Sequence, residues 1–169
     1  RDGSSIMYGN SDDYNFDRLE GPSDSGVEMM YIYDEQDELT GLILNVNCPA
    51  QVVEHKCFYS ADFIGSFRRQ LTEKLEREIF VLSIIGAAGN ISPRDLVRSG
   101  RGEPNMHELE GAEEIGRRLL NCFEYSFEKA KTGIVRELEF GYIYKDVPLF
   151  IRTVTNEELA KAKVEFDEI

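Results

Sequence analysis

The loop at residues 86–94, which reads GAAGNISPR, holds the residue types that acyl-transfer chemistry requires. Ser92 offers a hydroxyl nucleophile, and Arg94 offers a cation that can clamp an anionic group. The glycines let backbone N–H groups approach a ligand closely, as in an oxyanion hole. The loop is not a P-loop, because no Lys follows the glycines at the required spacing, and it lacks the Gly-x-Ser-x-Gly elbow. Two interpretations stay open: Ser92 is a nucleophile, or it only caps a helix before Pro93.

A second group of side chains has the donor atoms of a metal site. Its thiols and imidazoles belong to Cys48, His55, Cys57 and His107, and its carboxylates to Glu54 and Asp62. The Cys-x6-His-x-Cys spacing matches no common zinc template. In the alternative interpretation, Cys57 and Cys122 are small core residues and His107 is solvated. The spacing alone favours this alternative.

Hydrophobic periodicity indicates which elements must position these side chains. It predicts strands at residues 27–34, 39–47, 79–85 and 138–144, and helices at residues 61–77, 108–131 and 156–164. The first two strands predict a β-hairpin, and the nearly unbroken apolar run at 79–85 predicts a strand buried on both faces. Ser60 is expected to cap the first helix, and Thr155 with Glu158 is expected to form a capping box before the last. The order predicts an α/β or α+β fold, a layered mixed sheet with helices packed on it, in one domain over residues 1–169.

The composition disfavours several classes of protein. The chain has 19 Lys and Arg against 32 Asp and Glu, and the resulting net charge of −13 disfavours binding to nucleic acid or to anionic lipid surfaces. No apolar run approaches the roughly 20 residues that a membrane helix needs, so no transmembrane segment is expected. Three cysteines are an odd number at low density, which argues against a disulfide scaffold and favours a reducing compartment such as the cytoplasm.

Four segments of the chain resemble those of one enzyme family. GAAGNISPR is similar to a Gly-Asp-Val-Ser-Pro loop, NVNCPAQ to a strand followed by His-Pro/Gly-Thr-Ser, and SADFIGSFRRQL to a Ser-x-Asp stretch that opens a helix. DGSSIMYG with the following EMMYIY is similar to a Ser-rich, Tyr-containing stretch before a strand. The four counterparts are segments of the neutral/alkaline (non-lysosomal) ceramidases and their bacterial relatives. The chain therefore resembles this family over most of residues 1–96.

This resemblance implies a zinc-dependent hydrolase that cleaves the amide bond of N-acylsphingosine. Ser92 falls on the family's nucleophile, and Cys48 falls on a histidine that binds zinc there; thiolate can also bind zinc. Asn90 stands where the family loop carries an acid. The family's other zinc ligands, a histidine, a glutamate and a tyrosine, would lie outside this chain. The resemblance thus implies an internal piece of a larger protein, with its remaining domains and an N-acyl lipid or other small amide as partners, and it allows secretion.

Two hypotheses about function follow. In the first, Ser92 attacks an acyl carbonyl, while Arg94 and Gln51 bind the substrate. Backbone N–H groups from Gly86 through Gly89 to Asn90 hold the oxyanion, and a metal near Cys48 polarises the carbonyl. In the second, the domain is non-catalytic and binds a small ligand or packs on a neighbouring domain, which the replacement at Cys48 favours.

The enzyme hypothesis carries four expectations. Cys48 and Ser92 should lie near each other at one end of the sheet. A Cys48 thiol near a metal ion or near backbone N–H groups should have a lowered pKa. Zinc is expected in the larger protein only, and the isolated chain is expected to hydrolyse no amide.

Overall fold

The computed structural model describes residues 5–99 and 106–167. Within them the element order is β1 (Val27–Tyr33), β2 (Leu39–Val46), α1 (Asp62–Leu75), β3 (Phe80–Ile85), α2 (Leu96–Ser99), α3 (Glu108–Ala130) and α4 (Asn156–Asp167), with a 3₁₀ turn at Lys131–Gly133 between α3 and α4. Three strands with helices packed on them confirm the expected α+β class.

The sheet is mixed and has the order β1-β2-β3. β1 and β2 form the predicted antiparallel hairpin, whose turn is closed by a hydrogen bond from the Asp34 N–H to the Glu38 carbonyl at 3.0 Å. β2 and β3 are parallel, with Val46 opposite Ile85 at their ends. The carboxyl ends of β2 and β3 therefore lie at the same edge of the sheet, which is where ligand sites of α/β sheets are found.

The hydrophobic core lies between one face of the sheet and the helices α1 and α3. Alternate residues of β2 point to this face, and they meet helix residues spaced three or four apart. The core is built from Leu42, Leu44, Val46, Phe63, Phe67, Leu71, Leu119 and Phe123, among others. This packing fixes the start of α3 relative to the loop after β2, and so positions the site described below.

The prediction that residues 79–85 are buried on both faces is wrong. Val81 points into the core and is 8% exposed, whereas Phe80 is 66% and Leu82 is 43% exposed. A continuous apolar run shows that a strand can be buried, but it does not show which of its faces receives a covering layer. Here α1 and α3 pack on the face that holds Val81, and the opposite face stays apolar and open.

The described chain divides into two compact units between Ile134 and Val135. In the second unit, residues 135–155 have no regular secondary structure, so the predicted strand at 138–144 is wrong. Its alternating aromatic residues lie exposed because no described strand supplies a hydrogen-bonded neighbour. The predicted capping box is confirmed: the Glu158 N–H donates to Thr155 Oγ1 at 3.1 Å, and the Thr155 N–H donates to Glu158 Oε2 at 2.9 Å.

No helix among the described residues is both long enough and apolar enough to cross a membrane.

Candidate functional site

The loops that follow β2 and β3 leave the same end of the sheet, as expected. The Gly86 N–H donates to the Val46 carbonyl at 3.1 Å, which ties the end of β3 to the end of β2. This N–H is therefore engaged in the sheet and does not point toward a ligand as an oxyanion donor would.

A buried carboxylate holds the loop after β2 in place. Asp62 accepts hydrogen bonds from the Val53 N–H at 3.0 Å and from the Phe63 N–H at 2.8 Å. Ser60 Oγ accepts a hydrogen bond from the Asp62 N–H at 2.9 Å. The N-cap of α1 is nevertheless Ala61, which makes no side-chain capping bond, so the prediction of Ser60 as the cap is wrong. The loop then turns at the Lys56 N–H, which donates to the Val53 carbonyl at 3.0 Å. His55 and Lys56 project from this anchored turn.

The first turn of α3 packs against the same loop. A Cβ placed on Gly111 would lie 3.2 Å from Val52 Cγ1 and 2.6 Å from the Met106 carbonyl carbon, so only glycine permits this approach. His107 precedes the helix in an extended conformation, and Glu108 begins it with φ at 61°. The close packing therefore brings His107 and Glu108 next to His55.

We call the resulting group of His55, Lys56, Arg94, His107 and Glu108 the histidine cluster. Glu108 Oε1 lies 2.9 Å from His55 Nε2 and 3.7 Å from His107 Nδ1, and Glu108 Oε2 lies 2.6 Å from Lys56 Nζ. The imidazole rings stack with their centroids 4.6 Å apart and their planes inclined by 14°. These are the two histidines of the chain, and Glu108 is 53 positions from His55.

Arg94 brings the loop after β3 to the cluster. Its Nη2 lies 3.2 Å from His107 Nε2 and 3.8 Å from Glu54 Oε1, and its guanidinium lies 5.5 Å from the centre of the Tyr8 ring. Arginine is always protonated and only donates, so His107 Nε2 is the acceptor in this contact. The neutral His107 then carries its proton on Nδ1.

Burial and charge set the protonation of the cluster. Desolvation lowers the pKa of His107, and its charge interactions with Arg94 and with His55 lower it further. The hydrogen bond from Lys56, and then that from His55, lowers the pKa of Glu108. At neutral pH the cluster therefore presents a neutral imidazole beside a carboxylate. Two imidazoles and a carboxylate are donors that zinc and other transition metals prefer.

Ser92 lies in the loop that delivers Arg94. Its Oγ accepts a hydrogen bond from the Arg94 N–H at 3.2 Å, and no imidazole or carboxylate of the described residues bonds to it. The helix α2 begins at Leu96, and Asp95 Oδ1 accepts from the Arg98 N–H at 3.0 Å. Asp95 is thus the capping residue of α2, and Ser92 closes a turn ahead of it.

The remaining residues of the predicted site lie outside the histidine cluster. Gln51 and Asn90 are exposed, and a Cβ on Gly89 would meet no atom within 4 Å. Gly89 and Asn90 therefore lie in an open stretch of the loop, where their backbone is accessible to a ligand.

The three cysteines are free thiols and differ in their surroundings. Cys48 packs against the core, and burial, with a smaller effect of the Asp62 charge, raises its pKa to about 11. The expectation of a lowered pKa is wrong, because the thiol lies against apolar side chains and a carboxylate. Cys57, expected in the core, is exposed, and Cys122 is half-buried.

The sequence predicts His55 and His107 as metal donors but does not predict Glu108 or Lys56 in the site. Each is adjacent in sequence to one of the histidines, and this adjacency was the available signal. His107, expected to be solvated, has a side chain only 30% exposed. The contact between the two histidines itself depends on the packing of α3 against Val52, which no local pattern encodes.

Comparisons of the chain with protein-family models, with curated proteins and with solved structures give no match. The resemblance to the ceramidases therefore stays a prediction.

Proposed function

We propose that residues 5–134 carry part of the active site of a zinc-dependent hydrolase that cleaves an N-acyl amide. The observation that supports this most is the gathering of His55, Arg94, His107 and Glu108 from three separate segments at one edge of the sheet. Charged and imidazole side chains that converge at the carboxyl ends of strands are typical of catalytic sites.

The loop after β3 supplies the groups that contact the substrate. Ser92 Oγ attacks the acyl carbonyl, and because it accepts from the Arg94 N–H, its own proton remains free to be transferred. A general base of the larger protein takes that proton and returns it to the amine nitrogen, which leaves as the C–N bond breaks. Backbone N–H groups near Gly89 and Asn90 stabilise the oxyanion. Zinc, when bound, polarises the acyl carbonyl or activates the nucleophile. Arg94 holds an anionic or strongly polar part of the substrate.

Hydrolysis of a fluorogenic N-acyl amide tests this proposal. The larger protein implied by the resemblance and the 169-residue chain are assayed in parallel, and we expect turnover by the larger protein only. Ser92→Ala should reduce kcat by at least about a thousandfold, whereas Ser23→Ala, an exposed serine outside the site, should leave it unchanged. Equal activity of the two variants would exclude Ser92 as the nucleophile.

A non-catalytic ligand-binding domain is the second candidate function. It is favoured by the contacts of Ser92, which has no hydrogen-bonded base among the described residues. This candidate predicts that the larger protein binds an N-acyl amide, measured by calorimetry, without hydrolysing it. Turnover that depends on Ser92 would exclude it.

A further inference from the structure

We infer that His55, His107 and Glu108 form a binding site for a divalent transition-metal ion, and their donor atoms favour zinc. Arg94 and Lys56 compete with the metal ion for His107 and Glu108. The inference deepens the proposed function, because it names the ligands of its metal and replaces Cys48 in that role. Its test needs no turnover and so can fail or succeed independently of the hydrolase.

The spacing of the donor atoms fits a zinc ion. One ligand atom from each residue lies within 4.8 Å of the other two. In a tetrahedral site with bonds of about 2.0–2.1 Å, ligand atoms lie about 3.3 Å apart. The 2.9 Å and 3.7 Å distances from Glu108 Oε1 to His55 Nε2 and His107 Nδ1 bracket that value. His55 Nε2 donates to Glu108 in the metal-free cluster, so metal binding there requires the imidazole proton to move to Nδ1. Three protein ligands also leave one position for water or substrate, as in catalytic zinc sites.

Arg94 and the metal ion make opposite demands on His107. A neutral imidazole carries one proton, and acceptance at Nε2 from Arg94 places that proton on Nδ1. A metal ion bound at Nδ1 requires the proton on Nε2, where it would point at the guanidinium. Metal binding must therefore displace Arg94 from His107, which leaves the guanidinium available to the substrate.

Lys56 and the stacking of the rings add smaller costs. The ammonium group of Lys56 binds Glu108 Oε2 and leaves Oε1 to the metal, but its charge weakens the binding of a second cation nearby. Imidazole lone pairs lie in the ring plane, and the two planes are inclined by only 14°. One ring must therefore rotate about χ2, a soft torsion for histidine, before both can point at one ion.

Binding of Zn²⁺ to the protein, measured by competition with a chromophoric chelator, tests the ligand set. Glu108→Gln and His55→Ala should each weaken binding by at least about tenfold. The matched control is Glu110→Gln, in the same first turn of α3, which should leave binding unchanged. The side chains of His55 and Glu108 are 37% and 44% exposed, so these substitutions leave the core intact, which circular dichroism verifies.

Arg94→Gln separates the metal site from an ordinary cluster of ion pairs. It should tighten zinc binding by about three- to tenfold, because it removes the competitor for His107. Absence of saturable binding, equal effects of Glu108→Gln and Glu110→Gln, or weaker binding by Arg94→Gln would each overturn the inference.

Co²⁺ in place of zinc identifies the donor atoms by absorption. A tetrahedral d–d spectrum without a thiolate charge-transfer band is expected, whereas such a band would place a cysteine at the metal and overturn the ligand set. Zinc binding without hydrolysis would contradict only the proposed function. Hydrolysis by a protein that binds no zinc at these residues would contradict only this inference.

Discussion

Cys48 illustrates how burial, rather than position in a loop, sets the chemistry of a side chain. Its pKa of about 11 leaves roughly one thiol in a thousand as thiolate at pH 8. We therefore expect iodoacetamide to alkylate Cys48 more slowly than the exposed Cys57 in the native protein, followed by mass spectrometry of peptides. The unfolded protein is the control, since the two rates should converge there. Faster native labelling of Cys48 would show that the thiol is not buried as described.

The donors of the candidate metal site could be predicted from the sequence only in part. A count of imidazoles draws attention to His55 and His107, because the chain has two histidines. Their partner Glu108 is one of 32 acidic residues, and only its adjacency to His107 distinguishes it locally from Glu110. Its position depends on a helix start that packs against a distant loop, which is a tertiary contact.

Helices α1 and α3 approach each other closely at Gly116 of α3. A Cβ on Gly116 would lie 2.8 Å from Ser66 Cβ and 2.9 Å from the Phe67 nitrogen of α1. Alanine in place of a helical glycine usually stabilises a helix by about 1 kcal/mol, but overpacking costs about 1–3 kcal/mol. We expect Gly116→Ala to lower the free energy of unfolding in urea. Gly133→Ala, which meets no atom within 4 Å, is the control and should not lower it.

The ion pairs of Glu114 in α3 make the stability of the folded protein depend on pH. Hydrogen bonds from Arg117 and Arg118 lower its pKa from 4.5 to about 2. A lowered carboxyl pKa stabilises the folded state above the unfolded value, and this stabilisation is lost as the pH falls from about 4.5 toward 2. Thermal unfolding between pH 5 and 2 should therefore show a smaller fall in Tm for Glu114→Gln than for the wild type. Parallel curves of Tm against pH for the two proteins would mean that the ion pairs of Glu114 contribute nothing to stability. High salt should reduce the difference between the two curves, because it screens ion pairs.

The sequence predicts elements well where periodicity and packing agree. The strands at 27–34 and 39–47 and the helices at 61–77 and 108–131 all form, with ends shifted by at most a few residues. The segment at 138–144 has the alternation of a strand but remains irregular, because a strand also needs a neighbour that supplies hydrogen bonds. Pairing between distant segments is not a property of a single run of residues.

The whole molecule combines a high negative charge with an open apolar sheet face. Met30, Ile32, Phe80, Leu82 and Ile84 of that face are each at least 37% exposed. Exposed apolar patches favour association, whereas a net charge of −13 opposes it. The balance should shift toward association as the pH falls toward the sequence pI of about 4.6, because the net negative charge becomes smaller.

Sedimentation at several pH values tests this balance. The weight-average mass should rise as the pH approaches 4.6, and Leu82→Lys should reduce that rise. Leu149→Lys makes the same change of charge at an exposed leucine of the second unit, and it should reduce the rise less. An equal effect of the two variants would show that the sheet face does not drive association.

The central position of β2 has a consequence for how the protein opens. β2 pairs with β1 on one side and with β3 on the other, so successive amides along it find acceptors on both sides. In β1 and β3, as far as the structure describes, every second amide points away from the sheet. Deuterium should therefore enter the edge strands through local fluctuations, whereas it should enter β2 only when the whole first unit unfolds. The slowest exchange in the chain would then measure the global stability of the scaffold that carries both loops.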